Sequence, residues 1–537
     1  MKQEFFTALT DALMERYPEK KVNSEQITGA IKTSIQTESL INALAEVFRL
    51  SPSEIEAALT ELGMAEMIAQ YKMGSGNSMN TAKTEKAALF RGNSLSTPFD
   101  ALFSFHSAPD CKAETELPEG LHAMLRELSE KISANIQNDP FIALYREGVA
   151  DYYEDFMLNT APIITAEIER LFGENGPKYL VTTGIGANEQ FCHYAAKLNN
   201  SNPGRKLTWI CIHSPGQLSL LPEDASAENT LFMEFSRSSV TEETIKLHEY
   251  TDRSCRRIVF TNGGGLKKLA ERDDNLVLRM PDEISGRYGR NKTPILLAPM
   301  LAAGMDTDQY WADIEAATEA FALDDPDSLP YVMARFILAF QKARGTDFIY
   351  LGCGDDTLAM LADEFIQFWN EGVNKNGNDL LVSRFFGLPR DSHMNLEGVL
   401  GNKQTKLGLF LLRSAMPGAV HPLVHSELDA IDEGHCGLKL GDEETILALA
   451  NYKRFAELMP TMLLEVKGVL TMEHSAVLGQ LFADVTFIYS RMMGIDPGSN
   501  PEVKFVRERS AKLLKEFAAK LRAGERTETL FEAAVEA

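Results

Sequence analysis

The 537-residue chain is short of tryptophan, cysteine and long apolar runs: it has three tryptophans and six cysteines. Those cysteines, Cys111, Cys192, Cys211, Cys255, Cys353 and Cys436, lie far apart, and no CxxC pair occurs. The spacing therefore offers neither a zinc ribbon nor a redox pair. Cys211 and Cys255 fall in or beside apolar runs, where reduced thiols pack as small hydrophobes. A cytoplasmic setting is expected. No stretch is apolar enough for long enough to span a bilayer as a helix. The opening MKQEFFTALTDALMERY is broken by Asp11, Glu15 and Arg16, so it lacks the apolar core of a signal peptide. Cations are also scarce. Lys and Arg total 53 against 77 Asp and Glu, for a net charge of −24. Such a balance repels polyanions and argues against nucleic acid as a partner, while leaving room for a local cationic pocket.

What is present reads as globular: 44% hydrophobic and 24% charged residues, in a chain long enough for two or three core units. Residues 1–72 read as a small helical unit. Its clearest helix start is Ser51-Pro52-Ser53-Glu54, a cap, a first-turn proline and a capping-box glutamate. Residues 73–98, rich in Gly, Ser, Asn and Thr, read as a linker. From Lys178 onward short apolar runs alternate with helical stretches. KYLVTTGIGA, LTWICIHS, LFMEFSRSS, RRIVFTNGG and NLVLRMP form one series; DFIYLGCG, DLLVSRFFG, LGLFLLRSA and PTMLLEVKG form another. The alternation predicts an α/β protein with two tandem doubly wound units and mainly parallel sheets, placed at 99–345 and 346–500. The tail, 501–537, reads as helical, with Leu513, Leu514 and Phe517 on one face.

The most informative segment is Ser236-Arg237-Ser238-Ser239-Val240-Thr241, which follows the run LFMEF and opens the helical pattern EETIKLHEY. Hydroxyls, free backbone N–H groups and the positive end of a helix dipole together stabilise an anion at such a turn. An ordinary Ser/Thr-rich helix cap has the same composition. In open α/β sheets, small ligands bind beyond the strand C-termini, where this loop falls.

The surroundings add a resemblance. The loop is similar to the S-[KR]-[ST]-x-x-T-x-E-T loop of SIS (sugar isomerase) proteins. VTTGIGANEQF resembles their first βα turn, with Gly184, Gly186 and Asn188 at the anion. DEISGRYGRNKTPILLAPMLAAGMD resembles the GGRYS segment of phosphoglucose isomerases, and GIDPGSNPEVKFVRERSA their NPFDQPGVELGK segment. The four matches stand in family order over roughly residues 140–525. The resemblance implies an aldose–ketose isomerase that interconverts glucose 6-phosphate and fructose 6-phosphate through a cis-enediol. It needs no metal or organic cofactor and works as a homodimer.

It also implies roles. Glu371, in WNEGVNK, resembles the glutamate of ESNGK and would carry the proton between C2 and C1; Glu364 and Glu397 are its rivals. Arg287, in SGRY, would stabilise the enediolate, because a guanidinium holds negative charge without giving up a proton. His393, in DSHM, would open the ring, reaching the neighbouring subunit's site. The family's lysine is replaced by Arg507, which can donate but cannot shuttle a proton; Lys504 is the nearby substitute. Ser236, Arg237, Ser238, Thr241 and Asn500 join Gly184, Gly186 and Asn188 in the anion pocket. Asn188, Val240 and Asn500 depart from the usual residues around the anion. That leaves a sulfonated hexose such as sulfoquinovose as an alternative substrate, and a non-catalytic phosphosugar-binding regulator as an alternative role. His421, His425, His435 and Cys436 invite a metal reading, but Pro422 breaks the helix that H-x-x-x-H spacing needs. A surface loop is the expectation there.

Overall fold

A computed structural model describes most of residues 99–526. It leaves out 100–101, 108–116, 119, 137, 147, 185–186, 238–241, 282–285, 376, 379, 386–397, 402–404, 415–439 and 500, along with 1–98 and nearly all of 527–537. The side chains of 187–191, 242, 286, 290, 384–385, 440–444 and several of 501–514 are likewise outside the description. The expected helical unit and linker at 1–98 therefore lie outside the described residues. The chain divides into residues 1–87 and 88–537, and everything below concerns the second.

Two five-stranded sheets form the frame. The first contains β2 (Tyr179–Thr183), β3 (Thr208–Ile212), β4 (Thr230–Ser236), β5 (Arg256–Thr261) and β6 (Leu276–Leu278), all parallel, in the order β3-β2-β4-β5-β6. Helix α1 (Ala187–Ser201) follows β2, and α2 (Glu242–Tyr250) follows β4. The second contains β7 (Phe348–Cys353), β8 (Leu381–Phe385), β9 (Lys406–Arg413) and β10 (Thr461–Val466), parallel, in the order β8-β7-β9-β10. Helix α4 (Asp356–Val373) follows β7, α5 (Met472–Met492) follows β10, and α6 (Pro501–Arg522) follows α5; α3 (Pro294–Ala303) lies between the sheets in sequence. Each apolar run of the sequence forms its strand. Runs buried on both faces, such as the fully buried β4, read as continuous hydrophobic segments.

The fifth strand of the second sheet comes from far upstream. β1 (Phe103–Ser107) pairs antiparallel with β10, Phe103 opposite Val466 and Ser107 opposite Met462. His106 Nε2 and Glu465 Oε2 stand 2.8 Å apart across that edge. Residues assigned by position to the first unit thus build the second sheet.

α5 is buried along almost its whole length and packs on α4 and on the helices Thr307–Ala320 and Leu329–Arg344. It buries polar residues as well, and these are paired within the core: Gln480 Nε2 donates to Asp484 Oδ1 at 3.0 Å. On α6, Leu513 is exposed and Phe517 half-buried, so that face is only partly packed within the chain. No helix among the described residues is long and apolar enough to cross a membrane.

Candidate functional site

The two sheets wind alike. In each, the second strand is placed on one side of the first and the third on the other, so a crevice opens between the loops after the first and third strands. In the first sheet these are β2, followed by the buried Gly184, and β4, ending at Ser236. Ser236 is buried, and its carbonyl accepts a hydrogen bond from Thr261 Oγ1 at 2.7 Å. Arg237 is half-buried at the same edge. Gly186, Ser238 and Thr241, and the side chain of Asn188, lie outside the described residues.

Beneath this loop is a polar core that the sequence did not announce. His248 of α2 places Nδ1 2.6 Å from Glu234 Oε2 and Nε2 3.3 Å from Asp273 Oδ2, while Arg257 Nε donates to Glu234 Oε1 at 3.2 Å. All four side chains are almost fully buried. Buried charges are tolerated only when paired this way, and the pairing ties α2 to β4 and β5. It fixes the helix that follows residues 236–241.

The second cluster forms around Arg287, on the helical turn Gly286–Gly289, and Glu371, in the last turn of α4. Arg287 is 3% exposed. Its Nε stands 3.3 Å from Glu371 Oε2. Nη1 donates to the Glu371 backbone carbonyl and to Pro497 O at 3.3 Å, and Nη2 donates to Ser499 O at 3.5 Å. One guanidinium therefore joins the end of α4 to the loop that leads into α6. Gln367, one turn earlier, donates to Glu371 Oε1 at 2.9 Å. The carboxylate keeps 31% exposure, so it is held on one side and open on the other.

Packing holds the arginine in place. The Tyr288 ring sits 5.6 Å from its guanidinium carbon and meets Phe368, Phe487, Tyr145 and Phe141 at centroid distances of 4.7–5.8 Å. Burial pushes the Tyr288 hydroxyl well above its ordinary range, so it stays neutral, donating to Phe368 O at 3.3 Å. A Cβ on Gly372 would collide with Tyr288 Oη and stand 2.9 Å from Thr486 Cγ2. The glycine after Glu371 is what lets the tyrosine under Arg287 come this close.

Lys375 completes the cluster. Its Nζ donates to Asp496 O at 2.9 Å. Burial and the Arg287 charge pull its pKa down to about 8, against the opposing pull of Asp496 and Glu371. WNEGVNK suggested a role for Glu371 alone. Gly372 gains its role from Tyr288 and Lys375 its role from the Asp496 carbonyl, both distant in sequence.

The structure thus brings Arg287 and Glu371 into direct contact. α1, which follows β2, packs against both α4 and the Arg287 turn. Arg507 and Lys504 ride on α6 with their side chains outside the described residues; His393 and Asn500 also lie outside. Of the rival carboxylates, Glu364 is buried in the core at 1% exposure, and Glu397 is not among the described residues. Among the described residues no three His, Cys, Asp or Glu gather as a metal site would require. The histidine-rich stretch with His421, His425, His435 and Cys436 lies outside them.

Comparison with solved structures gives a TM-score of 0.60 against a glucose-6-phosphate isomerase from Chlamydia trachomatis, at 14% identity, covering 79% of this chain and 90% of that one. The fold is that of a glucose-6-phosphate isomerase. A hypothetical protein from Thermus thermophilus scores 0.61 at 20% identity, covering 76% of this chain and 99% of its own. Among curated sequences, the glucose-6-phosphate isomerase of Rubrobacter xylanophilus is 25% identical over 258 residues, 47% of this chain and 58% of that protein. The glucose-6-phosphate isomerase of Methanocaldococcus jannaschii is 21% identical over 257 residues, 44% of this chain and 61% of that one. The chain thus spans about three fifths of the curated relatives' length. No protein-family model matches.

Proposed function

We propose that the protein is an aldose–ketose isomerase acting on an anionic hexose, interconverting glucose 6-phosphate and fructose 6-phosphate. The observation that carries this reading is the Arg287–Glu371 contact, Nε to Oε2 at 3.3 Å, with the carboxylate partly open to solvent. Glu371 takes the C2 proton of the open-chain sugar and returns it to C1. Arg287 stabilises the enediolate oxygen in between. The turn with Gly184, Gly186 and Asn188 and the loop with Ser236, Arg237, Ser238 and Thr241, together with Asn500, hold the anion at the start of α2. His393 and Arg507 serve ring opening. A homodimer in the cytoplasm is part of the same reading, as are the domain limits at 72, 98, 345 and 500, with β1 crossing from the first unit into the second sheet. Free thiols at Cys192, Cys211 and Cys353 suit a reducing compartment.

The substitutions at Asn188, Val240 and Asn500 keep one competitor in view, a sulfonated hexose, whose anion carries less charge than a phosphate. Incubating the protein with glucose 6-phosphate and, separately, with sulfoquinovose in deuterated water tests both. Deuterium at C2 of glucose 6-phosphate supports the phosphate reading. Exchange on sulfoquinovose alone replaces it with the sulfonate one. Exchange on neither leaves the non-catalytic, sugar-binding role.

A further inference from the structure

The isomerase reading gives ring opening to His393 and Arg507, which leaves no titratable cation for the ring oxygen itself. The C1–O5 bond of a cyclic sugar breaks only if O5 gains a proton, and Arg507, at the place of the expected lysine, stays charged at any working pH. Lys375 lies at the open end of α4, four residues beyond Glu371, and reaches across to the loop that leads into α6. Its amine donates to Asp496 O at 2.9 Å, while Arg287 holds Pro497 O and Ser499 O of the same loop. The charged groups facing it are Arg287, Glu371 and Asp496. A titratable cation therefore stands in the same cluster as the residues proposed to move the C2 proton.

We propose that Lys375 is the acid that protonates the ring oxygen of the bound sugar. This rests on the isomerase reading. The ammonium gives one proton to O5 as the C1–O5 bond breaks. The C1 hydroxyl gives its own proton to a water molecule as the aldehyde forms, and the neutral amine takes one proton back from solvent, so no net proton is gained or lost. No oxidation is involved. The lowered pKa of about 8 suits the task, since an acid whose pKa is near the working pH both carries and releases its proton readily. Activity on a cyclic substrate then falls as pH rises through about 8, when the ammonium is lost.

A substrate that cannot close a ring separates this role from a purely structural clamp. D-erythrose 4-phosphate is acyclic, because its terminal oxygen carries the phosphate. Lys375→Met should lower kcat on glucose 6-phosphate about 100-fold or more, while C2–deuterium exchange on erythrose 4-phosphate changes by less than about threefold. Lys375→Arg keeps a cation for Asp496 O, so the alkaline limb near pH 8 should disappear along with the ring-opening activity. Thermal melting of each variant keeps misfolding apart from chemistry. Lys375→Met that turns over glucose 6-phosphate normally, or loses both reactions equally, overturns the assignment, as does an alkaline limb that survives in Lys375→Arg. Wild-type protein that exchanges C2 on neither sugar overturns the isomerase reading together with it.

Discussion

The two sheets share one winding but treat their crevices in opposite ways. In the first, the edge after β2 and β4 carries Gly184, Ser236 and Arg237, and its sequence continues in hydroxyls. In the second, the matching edge after β7 and β9 is filled from within. Asp355 caps α4, accepting from the backbone N–H groups of Thr357 at 2.8 Å and Leu358 at 3.0 Å, and its other oxygen stands 3.0 Å from Arg413 Nε. The protein's own carboxylate sits where an external anion would. A cleft of about 560 Å³ does open beside it, lined by Lys197, Lys206, Thr357, Arg413 and Thr471, but it includes neither Arg287 nor Glu371. The second sheet contributes to the candidate site from the opposite end of the same helix, with Glu371 about 24 Å from Asp355 at 1.5 Å per residue. A repeated topology thus supplies two equivalent edges, and the residue before the helix, Gly186 in one and Asp355 in the other, sets them apart.

That contrast can be broken at either crevice. The largest effect is expected at Arg287. Arg287→Lys keeps the charge but loses the fork that reaches Glu371, Pro497 and Ser499, and kcat should fall by about 10²–10³, as for removal of one transition-state donor. Steady-state kinetics on glucose 6-phosphate would measure it; an unchanged kcat would remove Arg287 from the chemistry. Next, Arg237→Ala at the edge after β4 should raise KM by about tenfold or more, the loss of one charged hydrogen bond to the anion, with kcat little changed. An unaltered KM would mean the anion is held elsewhere.

The matching change at the closed crevice should behave differently. Asp355→Ala removes a helix cap and should cost about 1–2 kcal/mol in urea unfolding while leaving kcat and KM alone. A substantial loss of activity at unchanged stability would show that the second crevice also serves the reaction.

A pH-dependent effect on stability lies under the Arg287 turn. Lys292 is fully buried and donates to Tyr145 O at 2.9 Å and to Gln480 Oε1 at 2.6 Å; the charged groups near it are Asp484 and Arg146, themselves paired. Burial pulls its pKa down to about 7. In the unfolded chain the amine titrates near the ordinary lysine value of about 10.4. Between those values the unfolded state holds a proton that the folded state has released. Stability should therefore rise with pH across that window, by at most about 1.4 kcal/mol per unit, with no Lys292 contribution to the slope below it. Urea unfolding at several pH values should show the rise in the wild type and its loss in Lys292→Met; parallel curves would mean the amine does not titrate there.

The sequence carried the strands well, because β4 and its neighbours are buried on both faces and read as continuous apolar runs. Arg287 and Glu371 were legible through short motifs around them. β1 was not, since the partner that makes Phe103–Ser107 a strand lies some 350 residues downstream, as the His106–Glu465 pair records. Nor was the core of Glu234, His248, Arg257 and Asp273, four polar residues on separate elements whose pairing exists only after the sheet forms. Lys375 stood in the same motif as Glu371, but its partner, the Asp496 carbonyl, is 121 residues away.

The central claim is that the open carboxylate beside Arg287 moves the C2 proton. The most direct test compares wild type with Glu371→Gln, which keeps the side chain's size and removes its basicity. Deuterium uptake at C2 of glucose 6-phosphate, followed by proton NMR, should be rapid in the wild type and fall by about 10³-fold or more in the variant. Equal uptake in the two proteins would contradict the account.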